Sequence, residues 1–224
     1  MAPHSNSTGA QPGEPEEAPL DLHAALRLVN DAETKAREEL QGNEAGVYLI
    51  WGFAWLLGYG AMHGARFGWL PLSAGASLTV FAACIMVALS TTVYIVTRQR
   101  RGIRGHSSFV GAMYGGAWAL GFMVMGTLSG VIGAAVDDFW LTGMIINGIA
   151  LLIVGLMYMV GGAMFNDKSQ ARLGIWFLVA NIIAILAGPA NFVTVCFILG
   201  PLGFFAGALA EFRRRRRLRN RGKV

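Results

Sequence analysis

Charge is what this chain has least of. Asp, Glu, Lys and Arg make up 14% of its 224 residues, where a soluble domain carries about 25%. The shortage is regional rather than even. Arg66 is the only formal charge from Gly46 to Thr97, and there is none between Gly105 and Val136 or between Phe139 and Phe165. Uncharged apolar runs beyond about 18 residues read as membrane-spanning helices. The 54% hydrophobic content and mean hydropathy of +0.51 point the same way. A water-soluble globular domain is excluded, and an integral membrane protein is predicted.

Cysteine is scarce too. Cys84 and Cys196 both fall within apolar runs at different predicted depths, so they read as small packing residues and not as a disulfide. The first residues lack the basic and apolar regions of a secretory signal. Their Pro, Gly, Ser and Glu content predicts a disordered tail over 1–19. Catalytic patterns are missing as well: there is no HExxH, GxSxG, P-loop, GxGxxG or CxxC. Of the four histidines, only His63 lies near a span. The expectation is a protein that is not an enzyme, with no cofactor and no metal centre. Ion-coupled transporters hold ionisable residues at depth, and every charged residue here lies outside the predicted spans or, as Glu211 does, at the end of one.

What is present is a set of six apolar runs, near 47–65, 71–97, 108–135, 140–165, 173–188 and 192–211. The short stretches between them predict consecutive spans as antiparallel neighbours. The distribution of charge then orients them. If both termini are cytoplasmic, all but one of the 18 Lys and Arg fall on the cytoplasmic side, the exception being Arg66. Trp69 and Trp140 fall at the opposite boundary, where amphipathic rings are favoured. Arginine greatly outnumbers lysine beside abundant Ala and Gly, a bias of GC-rich genomes, so the bilayer is read as a bacterial plasma membrane.

The last residues, "EFRRRRRLRNRGKV", fit a cytoplasmic stop signal that also contacts anionic lipid through Arg213, Arg214, Arg215, Arg216 and Arg217, at about 1 kcal/mol per basic residue near the surface. They offer no aromatic platform or helix face for reading bases, so no nucleic acid is expected.

"WGFAWLLGYG" at 51–60 recurs as "YGGAWALGFM" at 114–123. The shared positions are Gly52/Gly115, Ala54/Ala117, Trp55/Trp118, Leu57/Leu120 and Gly58/Gly121. Helical hairpins in parallel repeat account for this, with only a loose echo in a third pair. Gly60/Gly64, Gly64/Gly68, Gly111/Gly115, Gly126/Gly130 and Gly203/Gly207 match GxxxG, but with 30 glycines in the chain chance alone gives roughly four such matches, so they report close packing and not a dimer. Ahead of the spans, residues 20–43 place Leu22, Leu26, Val29, Ala36 and Leu40 on one face of a helix, with Asp21 as its N-cap.

The fold class is therefore an all-α integral membrane protein, six transmembrane helices as three antiparallel hairpins preceded by a cytoplasmic amphipathic helix. Its parts are a tail at 1–19, the helix at 20–45, the membrane domain at 46–211 and a basic tail at 212–224.

Two groups of residues are candidate sites. Asn147, Asn181 and Pro201 are predicted near the midplane, where they would line a polar site for a neutral solute or join helices by hydrogen bonds. His63, Asp137 and Asp138 are predicted on the extracytoplasmic side as a weak cation or pH-sensing cluster, or as solvated loop residues. The function expected is an accessory, sensor or regulatory membrane subunit, with a protein partner docking through 20–42. The alternative is a small uniporter or channel for a neutral or apolar solute.

Overall fold

The computed structural model describes residues 21–28, 44–99 and 106–221. Six long helices dominate: α1 (Glu44–Phe67), α2 (Ala74–Gln99), α3 (His106–Ala135), α4 (Phe139–Met164), α5 (Lys168–Leu186) and α6 (Gly188–Arg221). All six are long and apolar enough to cross a membrane, and no strand occurs among the described residues. The chain is a multi-pass helical membrane protein.

Residues 22–28 form a separate short helical segment, belonging to a unit distinct from the one that holds the six helices. The Asp21 side chain accepts from the His23 backbone N–H at 3.0 Å, capping its first turn. The remainder of the predicted 20–42 helix, from 29 on, lies outside the described residues, as do the tail at 1–19 and the basic connection 100–105.

Helix boundaries differ from the runs between charges for local reasons. α2 starts at Ala74 and not at 71, because Ser73 Oγ accepts from the Ala76 N–H at 3.1 Å and sets the cap. α5 starts at Lys168, five positions before the apolar run, because Asp167 accepts from the N–H groups of Ser169 and Gln170 at 2.8 and 3.2 Å. Just before it, Asn166 takes φ 52°, and the Asp167 N–H bonds back to Gly162 O at 2.8 Å. This is a Schellman-type closure of α4, so two helices meet across three residues, Phe165, Asn166 and Asp167. "GPAN", read as a loop, is mostly the first turn of α6: Gly188 turns the chain at φ 74° and Pro189 follows. α6 then continues through the arginine run to Arg221.

Around the bundle the packing order is α2, α1, α6, α5, α4, α3, with α4 also touching α6. The buried cluster draws Tyr48, Trp55, Tyr59 and Met62 from α1, Leu151 from α4, Phe177 from α5, and Phe192, Cys196 and Phe204 from α6. α2 reaches it only through half-buried Phe81 and Ile85, and α3 contributes nothing to it. Lipid tails are as apolar as leucine, so close packing rather than escape from water holds such helices together. Glycines on α6 make that packing possible. A Cβ at Gly200 would run into the Trp55 ring, and one at Gly203 would stand 2.5 Å from Trp176. At the α4–α5 crossing, a Cβ on Gly174 would lie 2.6 Å from Gly155 O. The two backbones touch directly there.

Candidate functional site

Two ends of the bundle can be told apart by their contacts. At one, Arg66 at the end of α1 donates to Ala190 O on α6 at 2.9 Å and lies 4.5 Å over the Trp140 ring at the start of α4. At the other, Tyr114 near the start of α3 donates to Met157 O on α4 at 2.9 Å and accepts from Gln170 of α5 at 3.2 Å.

Between these ends lies a polar layer. Tyr59, Asn147 and Cys196 each stand eight positions from Phe67, Phe139 and Gly188, the Arg66-side ends of their helices; that is about 12 Å along an α-helix. The Tyr59 hydroxyl donates to Asn147 Oδ1 at 3.0 Å, and Asn147 Nδ2 donates to Gly143 O at 2.8 Å. The Cys196 thiol lies beside the Tyr59 hydroxyl, and both cysteines are free thiols. Asn181 Nδ2 donates to Gly148 O at 2.9 Å, while its Oδ1 is buried without a partner. Asn181 therefore joins α5 to α4, and Tyr59 joins α1 to α4. Pro201, thirteen positions along α6 from Gly188, lies about 8 Å deeper than Cys196 and makes no part of this layer. The predicted trio thus separates into two asparagines at one level and a proline below them.

Beneath the layer, the centre of the bundle is filled. Trp55 is 5% exposed, and its ring centroid lies 5.1 Å from Phe177 and 5.2 Å from Phe204, which are 4.8 Å from each other. A gap of about 10 Å³ remains beside Trp55, Phe177 and Cys196, at the lower limit of about 10–15 Å³ needed to hold a single water. The Trp55 Nε1 donor is buried there without a protein partner.

The predicted His63, Asp137 and Asp138 group has a different arrangement from a joint site. His63 Nδ1 accepts from Trp69 Nε1 at 2.9 Å, and its ring stacks on Phe197 at 5.2 Å. Asp138 is the N-cap of α4, accepting from the Leu141 N–H at 2.6 Å. Asp137 is exposed. Among the described residues, no group of three or more His, Cys, Asp and Glu is placed to hold a metal ion.

In the basic run, Glu211 is 2% exposed and accepts from Arg214 at 2.8 and 2.9 Å and from Arg215 at 3.0 Å. Two of the five arginines thus serve an internal carboxylate, leaving Arg213 and Arg216 exposed on the helix surface. The side chain of Arg217 lies outside the described residues.

Three residues of consequence are absent from the candidate sites read from the sequence: Tyr59, Trp55 and Arg66. Tyr59 did carry a signal, since a phenol within an apolar run needs a hydrogen-bond partner. Comparison with protein-family models, with curated proteins and with solved structures finds no match to this chain in any of the three.

Proposed function

We propose that this protein is a non-enzymatic accessory or sensor subunit of a bacterial plasma membrane, and that it does not conduct solutes. The observation that carries this reading is the Trp55–Phe177–Phe204 cluster, which fills the space a solute would cross. The polar side chains above it are engaged in joining helices. A uniporter or channel at the level of Asn147, Asn181 and Pro201 would need that volume open.

In this reading both termini are cytoplasmic, and Arg66, Trp69 and Trp140 lie at the outer boundary. The helices form three antiparallel hairpins. Contacts whose partners run in opposite register support this: Trp51 with Thr92 and Gly58 with Phe81 for α1 and α2, Tyr114 with Met157 and Gly121 with Ile153 for α3 and α4. Residues 20–42 form an amphipathic helix that docks a cytosolic partner, and exposed Arg213 and Arg216 contact anionic lipid.

The test is affinity capture in mild detergent of the full-length protein and of a variant lacking residues 20–42. A stoichiometric partner retained by the first and lost by the second is the expected result. If neither the full-length protein nor the variant retains a partner, while both insert and remain monodisperse, the accessory role fails.

A further inference from the structure

A groove of about 450 Å³ runs along the flank of the bundle between α4 and α5, within the range of about 300–1,000 Å³ found for small-molecule sites. Ile145, Leu152, Ile182 and Ile185 form its walls, with Gly148 and Asn181 at its floor. It has no ionisable lining. Leu152, Ile182 and Ile185 are exposed, so the groove opens sideways, toward the acyl chains of a bilayer, and a ligand would enter from the membrane.

The floor carries one unmet chemical requirement. Asn181 is 6% exposed, and its amide nitrogen is fixed by donation to Gly148 O at 2.9 Å, which also settles which amide atom is the oxygen. That oxygen has no donor. Unpaired buried acceptors are rare in native structures and are costly in hydrocarbon, where water cannot serve them. The oxygen lies just beneath the groove's surface beside Gly148, which is also buried: a Cβ there would stand 3.8 Å from the oxygen and 3.5 Å from Ile185, so a donor reaches it by displacing the Ile185 side chain.

We propose that the α4–α5 groove binds a neutral lipid carrying a hydroxyl group, its apolar body along Ile145, Leu152, Ile182 and Ile185 and its O–H donating to Asn181 Oδ1. A charged headgroup would find no counter-charge among these residues. A pure hydrocarbon would leave the oxygen unpaired. This site requires only that the bundle sits in a bilayer, and it stands or falls separately from the accessory role.

The experiment uses full-length protein in phosphatidylcholine nanodiscs and two photoreactive probes: hexadecanol bearing a mid-chain diazirine, and its methyl ether. The ether keeps the chain and the oxygen, replaces the hydroxyl proton by a methyl group, and has no proton to donate. Labelled peptides are mapped by mass spectrometry. The alcohol is expected to label 144–152 and 182–185 about fivefold more than the ether, the factor that one net hydrogen bond of about 1 kcal/mol gives. Gly148→Ala, which places a methyl group 3.8 Å from the oxygen and crowds the approach beside it while keeping the Asn181–Gly148 bond, is expected to abolish that preference. Asn181→Leu should do the same where it folds. Equal labelling by both probes, labelling spread evenly over the bundle surface, or an unchanged preference in Gly148→Ala would overturn the proposal.

Discussion

The stretches 51–60 and 114–123 share glycine, alanine, tryptophan and leucine at five matched positions, yet the fold uses them in opposite ways. In α1, Trp55 is enclosed by Tyr59, Phe177 and Phe204. In α3, Trp118 is half-buried and stacks on Phe122 of its own helix, with Tyr158 as its contact on α4. A Cβ at Gly52 would stand 2.7 Å from the Phe205 ring, whereas one at its counterpart Gly115 would meet nothing within 4 Å. Leu57 and Leu120 behave alike, 60% and 63% exposed, each on the outer surface of the bundle. The difference arises from position in the packing order. α1 lies between α2 and α6, while α3 ends the row with α4 as its principal neighbour. A glycine in a membrane helix permits close approach, but a second helix must be there to use it.

The largest expected effect separates the two tryptophans. Trp55→Ala removes the central ring of the aromatic cluster and should cost about 3–5 kcal/mol. Trp118→Ala should cost well under half of that. Unfolding by SDS in mixed micelles, followed by far-UV circular dichroism, measures both, and equal losses would dissolve the contrast between the helices.

The glycines sharpen it through a change of sign. Gly58→Ala forces the Phe81 ring and is also 3.3 Å from the Phe81 Cα, which cannot turn aside, so a loss of about 1–3 kcal/mol is expected. Gly115→Ala gains helix propensity in open space and should be neutral or stabilising by up to about 1 kcal/mol. The same unfolding assay distinguishes these directions.

A smaller effect tests what the polar layer does for the core side alone. Tyr59→Phe and Asn147→Leu each remove the bond between α1 and α4, at about 0.6–2 kcal/mol. Because they break one shared interaction, the double variant should cost little more than the larger single. Full additivity would mean that the two side chains act independently.

Much of this architecture was legible in the order of residues. Charge gaps marked six helices because a charged side chain at depth is costly, and the boundaries erred where caps rather than charges decide them. Asp167 extends α5 back across Lys168 and Arg172, and Gly188 shortens the α5–α6 connection to a single turn. The candidate residues were legible as polar atoms at depth but not as partners. Asn147 meets Tyr59 across a separation of 88 positions, and Asn181 meets the backbone of Gly148. Periodicity along one helix holds no information about which other helix stands opposite. For the same reason the matching decamers gave no sign that one would be central and the other peripheral. Glu211 is the last residue of the sixth predicted span, and its burial accompanies the continuation of α6 as one helix to Arg221, which sets Arg214 and Arg215 on its carboxylate.

The central claim is that the Trp55–Phe177–Phe204 cluster closes the bundle. Stopped-flow light scattering on proteoliposomes, with glycerol and urea as osmolytes, tests it most directly. Shrinkage and recovery indistinguishable from protein-free liposomes is the expected result. A saturable solute flux that Asn147→Leu abolishes would contradict it and would return the polar layer to the role of a permeation site.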